Sequence, residues 1–324
     1  MTGGAAAEEL LVVGGGVSGI ACARAIADAG CPVVVRDRGH RLGGRMAVKT
    51  IDDRPVDVGA SYFTVSVPAF QNVVDRWLDV ELVRPWTDTF HVGDPGGLLG
   101  TRTGPMRYAT PLGLRSLIED LSLGLPLRNP DDVREVEPGP TVDSTAYAGV
   151  ALAMPGPQAL DLLGDSLEAE RAASGGMWEP CIALIATYDK RVWPDLDGVF
   201  VNDSVVLTFV ADDGRRRGDD APVLVAHAHP VLSAAHLDNP DAAIAPMLGE
   251  LEGVLGISVA PSSVIAKRWS LAKPVNPHVE HYFLGKSGVG LCGDGWHGPS
   301  RIESAYLSGR ALGRAMARRG PAAA

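Results

Sequence analysis

The chain has 324 residues, enough for one large or two modest domains, each with its own core. Its 46% hydrophobic and 21% charged residues are ordinary for a globular protein. The formal net charge of −10 argues against polyanion binding, and no basic face stands out to reverse that.

The run Arg215-Arg216-Arg217 is flanked by Asp212, Asp213, Asp219 and Asp220 and reads as a solvated loop. Cys22, Cys31, Cys181 and Cys292 are scattered, with no C-x-x-C, as expected of reduced, mostly buried thiols in a cytosolic protein. His227, His229 and His236 crowd one region without the spacing of a closed zinc set, so no metal is expected. The N-terminus lacks a signal-type n-region, and Arg24 and Asp28 interrupt the longest apolar stretch. A cytoplasmic protein with neither a membrane nor a nucleic-acid partner is the expectation.

The first predicted element is the apolar run 10–13, a buried parallel strand. It enters Gly14-x-Gly16-x-x-Gly19, then a helix over about 17–29 and a second strand over 33–35 that closes a βαβ unit at Asp37. Gly14 permits the tight turn, Gly16 lets the backbone approach a pyrophosphate, and Gly19 lets helix and strand pack closely. The helix start at Val17 and Ser18 offers oriented N–H groups to phosphates, and Asp37 can accept from both hydroxyls of an adenosine ribose. A carboxylate there argues against a 2′-phosphate, leaving FAD and NAD.

A glycine- and charge-rich stretch follows, and then a helix over 68–78, where Phe70, Val73, Val74 and Trp77 recur at spacings of three and four. A further helix after Thr110-Pro111 has Leu114, Leu117, Ile118 and Leu121 on one face. The segment 147–163 reads as a strand, a proline-broken turn and a helix. From about Pro180 to Ala228 four strands separated by polar turns suggest an antiparallel sheet. A helix over roughly 241–255, a strand around 263–269, a strand with a glycine-rich crossing near Gly293, and a long C-terminal helix complete the chain. A second strand-to-helix crossing can aim its helix start at another part of an extended cofactor.

The chain resembles the FAD-dependent amine oxidase superfamily, and within it the renalase-like NAD(P)/FAD-dependent oxidoreductases. The resemblance rests on Asp37 followed by Gly43-Gly44-Arg45, on "DVGASYFT" at 57–64, and on "GLCGDGWHGPSRIESAYLSGRALGRAM" at 290–316, with "ALAMPGPQAL" as a second crossing. It departs at Leu232, where a tryptophan is expected, and at Gly298-Pro299-Ser300-Arg301-Ile302-Glu303, where the usual family pattern is Gly-Gly-Arg-Val-Glu. The resemblance implies an α/β fold: a glutathione-reductase-type FAD-binding Rossmann domain with an inserted substrate domain built on a largely antiparallel sheet. The expected FAD domain is 1–72, 101–160 and 284–318, the substrate domain 73–100 and 161–283, and 319–324 a disordered tail.

FAD, held non-covalently, is implied as the cofactor. Its contacts are expected from Gly14, Gly16, Val17, Ser18, Gly19, Asp37, Arg38, Gly43, Gly44 and Arg45, from Gly59, Ala60, Ser61 and Tyr62, and from Gly293, Asp294, Arg301 and Ile302. Arg45 is expected along the cofactor phosphates and Asp294 at the ribityl chain, with Glu303 more often a structural partner. His297, Trp296 and Tyr62 are the candidates for catalytic roles beside the flavin; Lys267 and Lys273 are not assigned any. The implied reaction takes a hydride from a small nitrogen-containing substrate, dihydronicotinamide-type or amine, to flavin N5, with O₂ as acceptor and H₂O₂ as product. The alternatives are a flavin-dependent oxidase or desaturase of a specialised metabolite, and a non-catalytic nucleotide-binding module. The sequence leaves the oligomeric state open.

Overall fold

The computed structural model describes residues 8–319. The chain forms two compact units: one runs up to Arg45 and includes Leu117–Met177 and the residues from Lys273 onward, and the other comprises Met46–Ser116 and Trp178–Ala272.

The first unit is built on a six-stranded sheet in the order Phe283–Leu284, Val289–Leu291, Gly149–Leu152, Leu10–Val13, Val33–Arg36, Leu127–Arg128. All neighbours are parallel except the first pair. The central strands are apolar throughout, as a sheet covered on both faces requires. Alternate residues (Leu11, Val13, Val150, Leu152, Val289, Leu291) join one core with Val136, Val142 and Ala159. The helices Val17–Asp28 and Ile302–Arg319 pack together so closely that a Cβ on Gly309 would collide with the Ser18 carbonyl oxygen, and one on Gly313 with that of Cys22. Leu312 and Met316 are buried in the C-terminal helix.

The second unit centres on a seven-stranded sheet in the order Ser263–Pro274, Trp178–Thr187, Val223–Ala228, Leu207–Asp212, Gly198–Val201, Arg84–Asp94, Gly97–Ala109. From Trp178–Thr187 onward the neighbours run antiparallel, apart from the parallel pair Gly198–Val201 with Arg84–Asp94. The helix Ile244–Leu255 buries Met247, Leu251 and Val254 against Leu184, Val199, Val210 and Leu224. Val56 and Val58 pack with Ile185, Val223 and Val225 in another core cluster.

The helices expected at 68–78 and from 114 occur as Pro68–Asp79 and Arg115–Leu121. The unit limits fall elsewhere than the expected 1–72, 101–160 and 284–318. Residues 46–72 group with the second unit because Val56 and Val58 bury there, and 101–109 because that segment is hydrogen-bonded to Arg84–Asp94. Of the tail expected at 319–324, Arg319 ends the C-terminal helix and the remainder lies outside the described residues.

The arginine run 215–217, expected as a solvated loop, is a correction. It lies in the short helix Asp213–Arg217, and Arg216 and Arg217 are buried. Asp212 and Asp213 make this possible by turning inward with the arginines, while Asp219 and Asp220 stay exposed. Arg216 pairs with Asp213 and donates to the Ser61 carbonyl at 2.9 Å, and Arg217 pairs with Asp57 at 3.0 Å and donates to the Pro111 carbonyl at 3.1 Å. Asp57 also accepts the Leu114 amide at 2.8 Å, and Arg54 meets Asp213 at 2.6 Å. Each charge is thus both neutralised and hydrogen-bonded, the condition under which buried ions are tolerated. Burial still pushes Arg216 down to about 10. The same burial, reinforced by repulsion from Arg216 and opposed by a hydrogen bond to the Gly59 backbone, pushes His227 down to about 4.

Two substitutions test this packing. Gly309→Ala drives a methyl into backbone and should cost about 1–3 kcal/mol, read as a lower midpoint of thermal unfolding. Gly249→Ala, in the interior of helix Ile244–Leu255 with nothing within 4 Å of its added Cβ, should raise that midpoint slightly. His227 stays neutral in the folded chain while an unfolded one takes up a proton near its ordinary 6.5. Stability should therefore decline as pH falls from about 6.5 to about 4, by roughly 2–3 kcal/mol more than in His227→Gln, in denaturant melts across that range.

Candidate functional site

The carboxyl ends of the parallel strands in the first unit carry the residues singled out by sequence. Leu10–Val13 leads to Gly14, Val33–Arg36 to Asp37, Gly149–Leu152 to Ala153, and Val289–Leu291 through Cys292 to Gly293 and Asp294. Backbone bonds tie these ends together: Gly14 N donates to Arg36 O at 2.8 Å, Ala153 N to Val13 O at 2.8 Å, and Cys292 N to Leu152 O at 3.1 Å. In open parallel sheets this edge is where ligands bind.

Gly14 sits at φ +110°, a backbone state that side-chain-bearing residues rarely adopt, and a Cβ there would meet the Ala153 carbonyl oxygen at 2.5 Å. Gly16 caps the helix Val17–Asp28 in extended backbone, makes no side-chain cap, and has open space where a Cβ would stand. The first-turn N–H groups therefore lack an intramolecular cap. Beside them the Ser18 hydroxyl is buried with no hydrogen-bond partner. A space beyond Gly16, uncapped amides and an orphaned hydroxyl are what a bound phosphate group would fill and satisfy.

Asp37 is half-buried and already shaped by the backbone, accepting Gly15 N at 2.6 Å on one carboxylate oxygen and Gly39 N at 2.7 Å on the other. Each oxygen keeps lone-pair capacity for a ribose hydroxyl. Arg38 next to it is exposed, and Gly43 donates to the Gly15 carbonyl at 2.9 Å, which folds the Gly43-Gly44-Arg45 turn over the fingerprint. Gly44 lies with its missing Cβ 3.5 Å from the Gly16 Cα.

Arg45 and Asp294 are joined by a two-pronged ion pair at 2.8 and 2.5 Å. Asp294, 6% exposed, also accepts the Ser300 hydroxyl at 2.6 Å. The two residues expected at separate parts of the cofactor are thus brought together as one element that links the fingerprint segment to the C-terminal crossing. Gly293 N donates to Ser308 Oγ at 3.0 Å, while Ile302 starts the C-terminal helix and exposed Arg301 stands 3.9 Å from buried Glu303.

Trp296 is buried and stacks on His278 at 4.1 Å between ring centroids; His297, at φ +56°, stacks on His281 at 3.7 Å. The backbone fixes both pairs, with His278 N donating to Gly295 O at 2.8 Å and His297 N to Glu280 O at 2.9 Å. Burial, and then the charge of His297, lower the His281 pKa. His278, His281 and Ser300 had no sequence signal, since a His-x-x-His pair on its own marks neither a strand nor a helix face.

Gly59, Ala60, Ser61 and Tyr62 belong to the second unit. There the Ser61 carbonyl receives Arg216, and Tyr62 packs edge-on to Phe90 at 5.4 Å and Phe209 at 5.9 Å, with Trp86 at 6.1 Å. Burial raises the Tyr62 pKa, against the opposing pull of Arg107. Lys267 lies over the Trp269 ring at 5.4 Å, and His229 caps its own helix by accepting Val231 N. Among the described residues no three His, Cys, Asp or Glu stand together to hold a metal ion, and no helix is long and apolar enough to cross a membrane.

A family model for an NAD(P)-binding Rossmann-like domain matches residues 12–77. Polyamine oxidase 5 of Oryza sativa subsp. japonica is 41% identical over 58 residues, which is 18% of this chain and 12% of the length of that protein. Among solved structures, cyclohexylamine oxidase from Brevibacterium oxydans IH-35A covers 97% of this chain and is itself covered to 99%, with a TM-score of 0.73 and 14% identity. A structure of an Exiguobacterium sp. 255-15 protein, described as a protoporphyrinogen oxidase on provisional grounds, covers 98% of this chain with all of its own length, at a TM-score of 0.75 and 16% identity. The chain therefore carries an NAD(P)-binding Rossmann-like segment at 12–77 and shares the overall fold of these flavin-type oxidase structures, while it spans only about an eighth of the length of the curated relative it matches.

Proposed function

We propose that this protein is a flavin-dependent oxidoreductase of the renalase-like kind, acting on a small nitrogen-containing substrate, a dihydronicotinamide or an amine. The observation that carries the proposal is the convergence of two strand-to-helix crossings, Gly14 to Gly19 and Gly293 to Ile302, at one edge of a parallel sheet, tied by Arg45 and Asp294. A mononucleotide would need only the first crossing. An extended dinucleotide uses both, and a glutathione-reductase-type domain is the reading that joins them.

FAD bound non-covalently fits these residues. The uncapped amides at Val17 and Ser18 and the Ser18 hydroxyl would hold the pyrophosphate, and Asp37 the adenosine ribose. Gly43, Gly44 and Arg45 would close over the cofactor, and Gly293, Asp294 and Ile302 would meet its flavin-bearing half. When bound, the flavin supplies the redox chemistry, accepting a hydride from a substrate C–H bond and passing two electrons and two protons in all to O₂ to give H₂O₂. The substrate's nitrogen lone pair stabilises the cation left behind, so no protein base is obligatory for the carbon–hydrogen step. Trp296 and His297 act by shape: backbone bonds and stacking on His278 and His281 hold them at fixed positions beside the second crossing. Arg45 holds Asp294 oriented, and the lone pairs left on its carboxylate would accept hydroxyl groups of the cofactor.

Purified protein should be yellow, and anaerobic mixing with NADH, NADPH and their 2- and 6-dihydro isomers should bleach it fastest with an isomer. A flavin left oxidised by all of them while a panel of amines or specialised metabolites reduces it would overturn the dihydronicotinamide assignment, and a colourless protein that takes up no FAD would overturn the proposal itself. Asp37→Asn should weaken FAD binding about 10- to 100-fold in fluorescence titrations, the loss of hydrogen bonds to a charged acceptor.

A further inference from the structure

In the second unit one buried cation is left without a counterpart. Arg107 lies towards the end of strand Gly97–Ala109, opposite Thr87, and is 6% exposed. Its guanidinium carbon stands 3.9 Å from the centroid of Phe90 and 5.8 Å from that of Tyr62. Trp86, Phe200 and Phe209 complete the aromatic surroundings, with Phe90 5.3 Å from Phe200 and 5.1 Å from Trp86. Tyr62, Trp86 and Phe200 are only partly buried.

The Nε and Nη1 of Arg107 are buried without any partner, and no described carboxylate pairs with it. An aromatic ring over the face of a guanidinium stabilises the charge but leaves the in-plane N–H groups unsatisfied. Burying such groups unpaired costs on the order of 1–3 kcal/mol or more. Arg36, Arg216 and Arg217, buried as well, each face carboxylates. A chain that neutralises these three buried arginines from within and leaves Arg107, among half-buried rings, without a carboxylate has a charge that an external anion would match.

We infer that the second unit binds the carboxylate of a small planar molecule, aromatic or conjugated, with Arg107 as the anion-binding residue and the Tyr62 hydroxyl as a second donor. Tyr62 lies beside the guanidinium and burial keeps its phenol protonated, so the hydroxyl can donate. One guanidinium and one neutral phenol match a single negative charge, which selects a carboxylate over a phosphate dianion. Only the naming of this molecule as the substrate rests on the oxidoreductase reading; the binding itself does not.

Calorimetric titration of the full chain, as purified with whatever flavin it carries, tests the inference with benzoate, 3-phenylpropionate, benzamide and phenyl phosphate. At least one carboxylate should bind, more than tenfold tighter than the amide and tighter than phenyl phosphate. Arg107→Met should reduce that affinity 10- to 100-fold, the range for hydrogen bonds to charged groups, and Tyr62→Phe several-fold. Equal binding of acid and amide, no binding of any carboxylate, or a folded Arg107→Met that binds as before would each overturn it. Should Arg107→Met fail to fold, Tyr62→Phe decides, and unchanged carboxylate affinity in that variant counts against the site. A visible spectrum recorded on the same samples separates the two readings: Arg107-dependent binding in a protein without flavin would sink the oxidoreductase proposal alone, and a flavin-loaded protein indifferent to carboxylates would sink this inference alone.

Discussion

The contact on which the first unit depends is the close approach of its first and last helices. Gly309 and Gly313 present bare backbone to Ser18 and Cys22, so the C-terminal helix lies directly on the helix that follows the fingerprint. Helices with ordinary side chains at a crossing stand 8–10 Å apart. Bringing these two closer sets where the C-terminal helix begins, and so where Gly293 and Asp294 stand relative to Gly14 and Asp37. The Arg45 to Asp294 pair is then short because the seam has already placed its ends.

In the second unit order comes from charge as much as from apolar contact. Asp57, Asp213, Arg54, Arg216 and Arg217 form a buried network in which carboxylates, guanidiniums and carbonyl oxygens satisfy one another, and it ties strand Arg54–Asp57 to helix Asp213–Arg217. Such a network contributes less to net stability than to uniqueness of arrangement, since removing one partner leaves an uncompensated charge. His227 feels that network as a neighbouring positive charge and stays neutral. Arg107 is the contrasting case, stabilised by ring faces without internal neutralisation.

What could be read from the sequence was what repeats or what glycine marks. The apolar run at Leu10, the spacing of Gly14, Gly16 and Gly19, and the carboxylate at Asp37 are local, and the structure places them in one βαβ unit. The helix Pro68–Asp79 was legible from its apolar face. The hairpin Arg84–Ala109 was not, because its second strand is exposed from Glu-free, glycine- and threonine-rich residues 99–106 and shows no alternation. Gly309 and Gly313 in the C-terminal helix carry no local signal, and only their partner across the seam explains them. The arginine run misled for a related reason. Charge near charge along the chain suggests solvent, whereas here the run is buried by adding Asp57, 160 residues away from Arg217, to the neighbouring Asp213. Arg45 and Asp294 were each picked out, but their pairing is a tertiary fact with no sequence trace.

The strand order also has a consequence for how the chain comes into being. Leu10–Val13 is flanked by Val33–Arg36, available at once, and by Gly149–Leu152, which in turn needs Val289–Leu291 for its other edge. Arg45 waits for a carboxylate 249 residues downstream. During synthesis the nucleotide-binding edge therefore stays half-built until the final strand and helix emerge, while the contacts of the second unit are all available earlier. Long-range closure of this kind is slow and leaves sheet edges open in the meantime. The last helix, laid across the first, is the step that turns an exposed ribbon into a finished binding edge.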